Sequence, residues 1–113
     1  MPRIKSTAEA LPAKVSLSVE ALGRNLRTAR IRRRITQRDL ARRAGISRVA
    51  LARVELGRPT TSIAAYFAAL WALGLEREFE NLGSPDRDDE GKALEFARQP
   101  KHARQPGGLN ADF

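Results

Sequence analysis

The residues that could do chemistry are concentrated in one short stretch, ITQRDLARRAGISRVALARVELG, at positions 35–57. Residues 24–58 contain twelve arginines and only two acids, Asp39 and Glu55, so this segment has a net charge of +10. Residues 76–113 contain nine acids and six lysines or arginines, a net charge of −3. A basic centre of this density indicates a polyanionic partner, with nucleic acid as the leading candidate. A solvated basic surface is the alternative that charge alone leaves open.

The composition argues against several other classes of function. The chain has no cysteine, which excludes disulfides, thiolate catalysis and cysteine-based metal sites. Its longest apolar run, residues 63–75, has thirteen residues, whereas a membrane-spanning helix needs about 20. No signal-peptide pattern opens the sequence, so we expect a cytoplasmic protein without a membrane span. No nucleophile stands beside a base, and neither a phosphate-binding glycine loop nor metal-ligand spacing is present. We therefore predict no enzyme activity, no cofactor and no metal.

Apolar residues recur at helical spacing in five short segments, and no segment has the pattern of a convincing strand. Serine or threonine precedes each of the first four segments, where its oxygen can accept a hydrogen bond from a first-turn amide. The predicted helices are Val19–Arg33 after Ser18, residues 37–44 after Thr36, residues 48–56 after Ser47, residues 62–73 after Thr61, and residues 76–82. The predicted core consists of Leu22, Leu26, Ala29, Leu40, Ala41, Leu51, Val54, Ile63, Phe67 and Leu70.

The segments that flank these helices have a different composition. Residues 1–17 contain two prolines and no regular spacing of apolar residues. Residues 83–113 form an acidic linker and a mostly disordered tail, in which one or two helical turns are possible around 92–98. The sequence therefore predicts an all-α fold, with a five-helix domain at residues 18–82 between flexible N- and C-terminal tails.

Residues 37–57 have the layout of two helices joined by a tight turn at Gly45, which is typical of a helix-turn-helix unit. The second helix is slim on its outer side and can enter the major groove of DNA, which is about 12 Å wide. Because arginine binds guanine O6 and N7 in a bidentate manner, we predict that Arg48 and Arg53 contact bases. Val49 is predicted to contact a thymine methyl group.

Polar residues flank this helix pair where the phosphates of a bound duplex would lie. Thr36, Ser47 and Arg58 are predicted to contact phosphates, and Gln37 is predicted to bridge a base and a phosphate. Such contacts position a protein on DNA without selecting a sequence. The expected partner is double-stranded DNA with a palindromic operator, which requires a homodimer because the two recognition helices must lie about 34 Å apart.

The stretch LGRNLRTARIRRRITQRDLARRAGISRVALARVELGRPTTSIAAYFAALWALGL, residues 22–75, resembles the Cro/repressor-type (XRE) DNA-binding domain. The matching motif positions are Gln37, Leu40, Ala41, Gly45, Ser47, Glu55, Gly57, Leu73 and Gly74. This resemblance implies a repressor-like fold in which Arg30 and Glu55 form a structural ion pair. Leu56 departs from the family, which usually has a polar residue there, often near a phosphate.

A narrower resemblance lies in TTSIAAYFAALWALGL and in the tail PDRDDEGKALEFARQPKHAR, which is followed by a terminal DF. Both are similar to the HipB-like antitoxins and operon repressors encoded beside HipA-type kinase toxins. The resemblance implies a homodimer that represses its own promoter and binds a HipA-like kinase toxin. A phage-type or free-standing XRE regulator without a toxin partner is the alternative, and it has the same DNA chemistry.

Four apolar or aromatic residues are candidates for contact with a second copy or with a partner. Trp71 lies on a second stripe of the fourth segment together with Leu75, and Tyr66 could support either a homodimer contact or packing over the core. Phe113 ends a tail that could become ordered on a partner. For Trp71, packing over the edge of the same small core remains an equal alternative.

Overall fold

The structure is a computed structural model that describes Thr7 and residues 10–100, and this part of the chain is all-helical without strands. The helices are α1 (Ala13–Arg32), α2 (Gln37–Ala44), α3 (Arg48–Glu55), α4 (Ile63–Ala72) and α5 (Asp89–Ala97), with 3-10 helices at Glu76–Asn81 and Pro85–Arg87. The predicted all-α fold is confirmed. The chain divides into two compact units, of which the first ends at Phe79 and the second begins at Glu80.

Helix α1 begins at Ala13, six residues earlier than the predicted start at Val19. Ser18 is not a cap, because it lies inside the helix and its Oγ donates to the carbonyl oxygen of Lys14 at 3.0 Å. The residue before the helix is Pro12, with φ −58° and no side-chain cap. A proline has a fixed φ and lacks an N–H, so it starts a helix without the polar capping side chain that the prediction relied on.

The helix-turn-helix segment begins and ends where its capping residues predict. The backbone N–H of Asp39 donates to Thr36 Oγ1 at 3.1 Å, and the N–H of Ala50 donates to Ser47 Oγ at 3.0 Å. Gly45 ends α2 in the left-handed region, with φ 74°. Because only glycine adopts this conformation at little cost, the sharp turn between α2 and α3 depends on it.

Helix α4 differs from its prediction in both its cap and its buried face. Ser62, not Thr61, accepts the capping bond from the Ala65 N–H, at 3.2 Å. Ile63 was predicted to lie in the core but is 66% exposed, and Phe67 is only half-buried. The face that enters the core consists of Ala65, Tyr66, Ala69 and Leu70, followed by Leu73. The spacing of Ile63, Phe67 and Leu70 also fits one face of a helix. Packing against the other helices buries the neighbouring face of α4 instead.

The core of the first unit lies where α3 contacts α1, α2 and α4. Its largest fully buried side chains are Leu26, Leu40, Leu51 and Val54, one or two from each of α1, α2 and α3. Helix α1 also approaches the end of α3 backbone to backbone at Gly23. A Cβ at Gly23 would lie 2.5 Å from the carbonyl oxygen of Val54, so only glycine fits there.

After α4 the chain forms shorter helices. The predicted fifth helix at 76–82 is a 3-10 helix, Glu76–Asn81, and Phe79 within it stacks on Phe67 with ring centroids 4.2 Å apart. In the second unit, the one or two turns expected around 92–98 are a nine-residue helix, α5, that begins earlier. Asp88 Oδ1 caps it by accepting from the Gly91 N–H at 2.9 Å. None of the helices in the described residues is long and apolar enough to cross a membrane.

Candidate nucleic-acid interface

Helix α3 presents one face to the core and the other to solvent. Leu51 and Val54 are fully buried against the neighbouring helices, which fixes the rotation of α3 about its axis. The three predicted base-contacting residues that lie on α3, Arg48, Val49 and Arg53, are consequently all exposed, whereas the fourth, Gln37 on α2, is half-buried. They border a shallow recess of about 200 Å³ lined by Arg48, Val49, Ala52, Arg53 and Leu56. The outer side of α3 therefore combines guanidinium groups with small or apolar side chains.

Glu55 anchors the C-terminal end of α3 through a buried polar network. Arg30 Nε donates to Glu55 Oε2 at 2.6 Å, and Arg30 Nη2 donates to Oε1 at 3.1 Å. The third nitrogen, Nη1, donates to the backbone carbonyl of Ile35 at 2.8 Å. This bidentate pair joins α1, the α1–α2 connection and α3, and it is the pair that the family resemblance implies. Bidentate arginine–carboxylate geometry adds orientation as well as attraction.

Gln37 belongs to the same network, which sequence reasoning missed. Its Nε2 donates to Glu55 Oε1 at 2.9 Å, so the side chain of the first α2 residue is held against the last residue of α3. Residues 37 and 55 are far apart in sequence, and no local pattern in a single sequence links them. In this conformation one N–H of the Gln37 amide is bonded within the protein, which leaves Oε1 to accept from an external donor and the second N–H to donate.

The predicted phosphate ligands lie at helix termini. Thr36 and Ser47 precede α2 and α3, and each is exposed. Their oxygens accept the capping hydrogen bonds, while their hydroxyl hydrogens remain able to donate. Arg58 is exposed after α3, and its backbone N–H donates to the carbonyl of Arg53 at 3.1 Å. Helix N-termini and exposed arginine are both suited to an anion such as a phosphate.

The four predicted contact residues have different environments. Tyr66 is 5% exposed and its hydroxyl donates to the carbonyl of Arg58 at 2.8 Å, so the prediction that it contacts a partner is wrong. Burial raises the pKa of the Tyr66 phenol. Trp71 is 59% exposed and so does not fold over the core, whereas Leu75 is half-buried against it. Phe113 lies outside the described residues.

Within the residues that the structure describes, no group of three or more histidine, aspartate or glutamate side chains is placed to hold a metal ion. In the first unit, the side chains of Arg30, Gln37 and Glu55 form one hydrogen-bonded network, and Thr36 and Ser47 cap their helices. The exposed guanidinium groups, hydroxyls and apolar side chains of this surface are suited to recognition by hydrogen bonding, charge and shape.

Comparison with known proteins supports the same conclusion. The family model described as a helix-turn-helix domain matches residues 21–82, more than half of the chain. No curated protein and no solved structure matches this chain. The matched segment contains residues 21–32 of α1 and all of α2, α3 and α4, and therefore the whole of the surface described above. The chain belongs to the helix-turn-helix domain family, and it is a DNA-binding protein of the XRE type.

Proposed function

We propose that the protein is a sequence-specific transcriptional repressor that inserts α3 into the major groove of its operator. The observation that carries this proposal is the rotation of α3. Leu51 and Val54 are buried, so Arg48 and Arg53 project from the exposed side of the helix, and Arg48 is the first residue after the capping Ser47. Occupying the operator would repress transcription by excluding other proteins from the same DNA.

Arg48 and Arg53 act as base readers in this proposal. They lie five residues apart, which corresponds to about 7.5 Å along a helix axis, close to two base-pair steps. Each guanidinium can donate two hydrogen bonds to the O6 and N7 of a guanine. The Glu55 network supports this role, because it holds the end of α3 against α1 and limits the freedom of the helix that carries both arginines.

Thr36, Ser47 and Arg58 position the duplex through its phosphates. The hydroxyls stand at the N-termini of two helices, and Arg58 adds an exposed full charge after the C-terminal end of α3. Gln37 is proposed to bridge a base and a phosphate: its Oε1 accepts from a base amino group, and the second N–H of Nε2, beside the one bonded to Glu55, donates to a phosphate. The phosphate contacts raise the affinity for every sequence to a similar extent.

A homodimer is proposed because a palindromic operator needs two copies of α3 in register. The outer face of α4 supports this arrangement. Ile63 and Trp71 are both more than half exposed on this face, and α4 contains no charged residue. An uncharged helix face with an exposed tryptophan is typical of a protein interface. Trp71→Ala is expected to shift the mass measured by analytical ultracentrifugation from dimer to monomer, whereas Leu82→Ala is not.

We further propose that the protein is the antitoxin of a HipA-type kinase toxin and represses its own operon. Support comes from the sequence resemblance at residues 60–75 and 85–113, and from the exposed apolar side chains of Leu94 and Phe96 on α5. Co-expression with the product of the adjacent gene tests this role. Capture of a kinase-like protein supports it, and an adjacent gene of another kind favours the free-standing regulator.

The DNA-binding proposal is tested by titrating the protein onto its own promoter region at several salt concentrations. Arg48→Ala is expected to cost about 1–3 kcal/mol on the specific sequence and to relax base choice, whereas Arg58→Ala weakens binding to all sequences alike. Lys92→Ala, which removes a positive charge from α5 instead, is the matched control. It should change neither the affinity for the specific sequence nor the affinity for random DNA. If Arg48→Ala lowered the affinity for specific and random DNA equally, this result would contradict the assignment of Arg48 as a base reader.

A further inference from the structure

Helices α1 to α4 all end in the same backbone geometry. In each, a residue just past the helix lies in the left-handed region, and the N–H of the next residue donates to the carbonyl five residues before it, at 2.8–3.4 Å. This arrangement is the Schellman motif, whose left-handed position usually takes glycine. Helices α2, α3 and α4 follow that preference with Gly45, Gly57 and Gly74, whereas α1 has Arg34, with φ 55°.

The backbone of Arg34 is therefore strained where those of its three counterparts are not. Within the residues that the structure describes, Arg34 is the one non-glycine residue with a positive φ. A side chain in this conformation destabilises the folded state, because its Cβ lies too close to the following carbonyl oxygen. Two bonds hold the turn in place: the Ile35 N–H donates to the Arg30 carbonyl at 3.4 Å, and the Ile35 carbonyl accepts from Arg30 Nη1 at 2.8 Å. Both bonds use the backbone of the turn, so the fold does not need the Arg34 side chain.

The charge of Arg34 is not required at the end of α1 either. A cation near a helix C-terminus interacts favourably with the helix dipole. Arg33 already has this role, since its Nη1 donates to the Ala29 carbonyl at 2.9 Å, and Arg32 lies in the last turn. The guanidinium of Arg34 is exposed and makes no hydrogen bond or ion pair with another residue that the structure describes. Strained residues of this kind are concentrated at functional sites.

We propose that Arg34 binds a phosphate of the DNA backbone and is present at the left-handed position for that reason, an inference that rests on the proposed insertion of α3 into DNA. Arg34 lies two residues before Thr36, so their Cα atoms are no more than about 7 Å apart. Arg30, Glu55 and Gln37 connect this turn to the start of α2 and the end of α3. The Arg34 guanidinium is thus held beside the residues proposed to contact phosphates.

This assignment makes stability and affinity change in opposite directions when one residue is replaced. Glycine at position 34 relieves the backbone strain and removes a phosphate ligand. A phosphate contact contributes to the affinity for every sequence and releases condensed counterions, so it also steepens the salt dependence of binding. An arginine that served only the end of α1 would stabilise the helix, and its loss would leave the salt dependence unchanged.

The experiment replaces Arg34 by glycine in the full-length protein and measures unfolding and DNA binding in parallel. The urea midpoint, followed by circular dichroism, should rise, because glycine adopts the left-handed conformation readily. Binding is titrated on a duplex that covers the promoter region and on a random duplex, from about 0.1 M to about 1 M salt. The slope of log K against log salt should become less steep by about 0.9 on both duplexes. The wild type should therefore bind about eightfold more tightly at about 0.1 M, and the two proteins should converge near 1 M.

Two control variants separate the charge from the strain. Arg34→Lys keeps both the charge and the strained Cβ, so it should match the wild type in urea midpoint and in salt slope. Lys92→Ala removes a positive charge from α5 and should leave the salt slope unchanged. A wild-type slope and affinity for Arg34→Gly overturn the proposal, as does a lower urea midpoint. Specific binding of the wild type to the promoter duplex in either case leaves the proposed function standing, whereas a wild type that binds neither duplex removes both.

Discussion

The two compact units of the chain stabilise their helices in different ways. In the first unit, α2 and α3 are eight residues each and both bury leucine completely, at Leu40 and Leu51. In the second unit, α5 is nine residues long and none of the described residues from Glu80 onward is buried. Isolated helices of this length are marginal in water. Helices α2 and α3 therefore exist because of tertiary packing, whereas α5 depends on its Asp88 cap and local interactions.

The difference matches the roles proposed for the two units. Reading bases requires side chains that are held within about 0.5 Å, so the recognition helix has to belong to a packed unit. The second unit has seven acids and five lysines or arginines from Glu80 to the end of the sequence, and its charge does not suit DNA. It exposes Leu94 and Phe96, so its apolar residues are available to a partner rather than committed to a core.

Breaking the buried network of the first unit should have the largest effect on stability. Glu55→Ala leaves the Arg30 guanidinium buried, with the Ile35 carbonyl as its remaining acceptor in this network, and it also removes the acceptor of Gln37. Losing one partner of a buried pair costs about 3–5 kcal/mol. The expected result is a lower urea midpoint with an unchanged slope, measured by circular dichroism.

The exposed pair between Arg42 and Asp39 is the control for this experiment. Its side chains are 73% and 40% exposed, so Arg42→Ala is expected to cost about 0.5 kcal/mol or less. Comparable losses for Glu55→Ala and Arg42→Ala would mean that the buried network does not hold α1 and α3 together.

Gly23→Ala tests the backbone contact between α1 and the end of α3. In an exposed helix this change would stabilise the protein by about 1 kcal/mol. Here the new methyl would lie 2.5 Å from the Val54 carbonyl oxygen and 2.6 Å from the Gly57 nitrogen, so the helices must separate. We expect a loss of about 2 kcal/mol, measured by urea unfolding, together with weaker DNA binding. Asn25→Ala, at an exposed position of α1, should instead be neutral or stabilising.

Tyr66→Phe tests the link between the core and the loop that carries Arg58. Removing the hydrogen bond to the Arg58 carbonyl is expected to cost about 1 kcal/mol. Burial raises the pKa of Tyr66 above its ordinary value of about 10. Folding thus favours the neutral phenol. Its contribution to the free energy of unfolding is fully present below about pH 10 and is lost as the pH rises through the pKa of Tyr66 in the folded state.

Tyr66 is the only tyrosine in the sequence, so ultraviolet absorbance of its phenolate reports its ionisation directly. The phenolate signal should appear at higher pH in the folded protein than in urea. At alkaline pH, the Tyr66→Phe variant should lose less stability than the wild type, because it has no phenol to ionise at this position. A native titration that coincides with the unfolded one would contradict the burial of the hydroxyl.

The features that could be predicted from the sequence are those that local chemistry fixes. Thr36 and Ser47 cap their helices and Gly45 makes the turn because each acts on residues within three or four positions of itself. The burial of Leu40 and Leu51 follows from helical period and residue type. Helix α1 was predicted to start too late because Pro12 replaces a polar cap, and a proline before a helix is also compatible with a loop.

Features that depend on contacts between distant residues could not be predicted in this way. Ile63 and Tyr66 lie on neighbouring stripes of an apolar helix, and only the shape of the core decides that Tyr66 is buried. Gln37 has the chemistry of a DNA ligand, and its bond to Glu55 becomes visible only when α2 and α3 are packed. The need for glycine at position 23 likewise arises from the backbone of another helix.

The smallest effect on global stability is expected from removing the cap of α5. Asp88→Ala and Thr36→Ala each delete one side-chain acceptor of a first-turn N–H, at 2.9 Å and 3.1 Å respectively. Removing a cap costs about 1 kcal/mol of helix stability. Because α2 is part of the core of the first unit, Thr36→Ala should lower the urea midpoint of that unit. Asp88→Ala should leave this midpoint unchanged while the α5 amides exchange hydrogen faster, as measured by NMR. A midpoint that falls equally for both variants would mean that the stability of the first unit depends on α5 and that the two units unfold together.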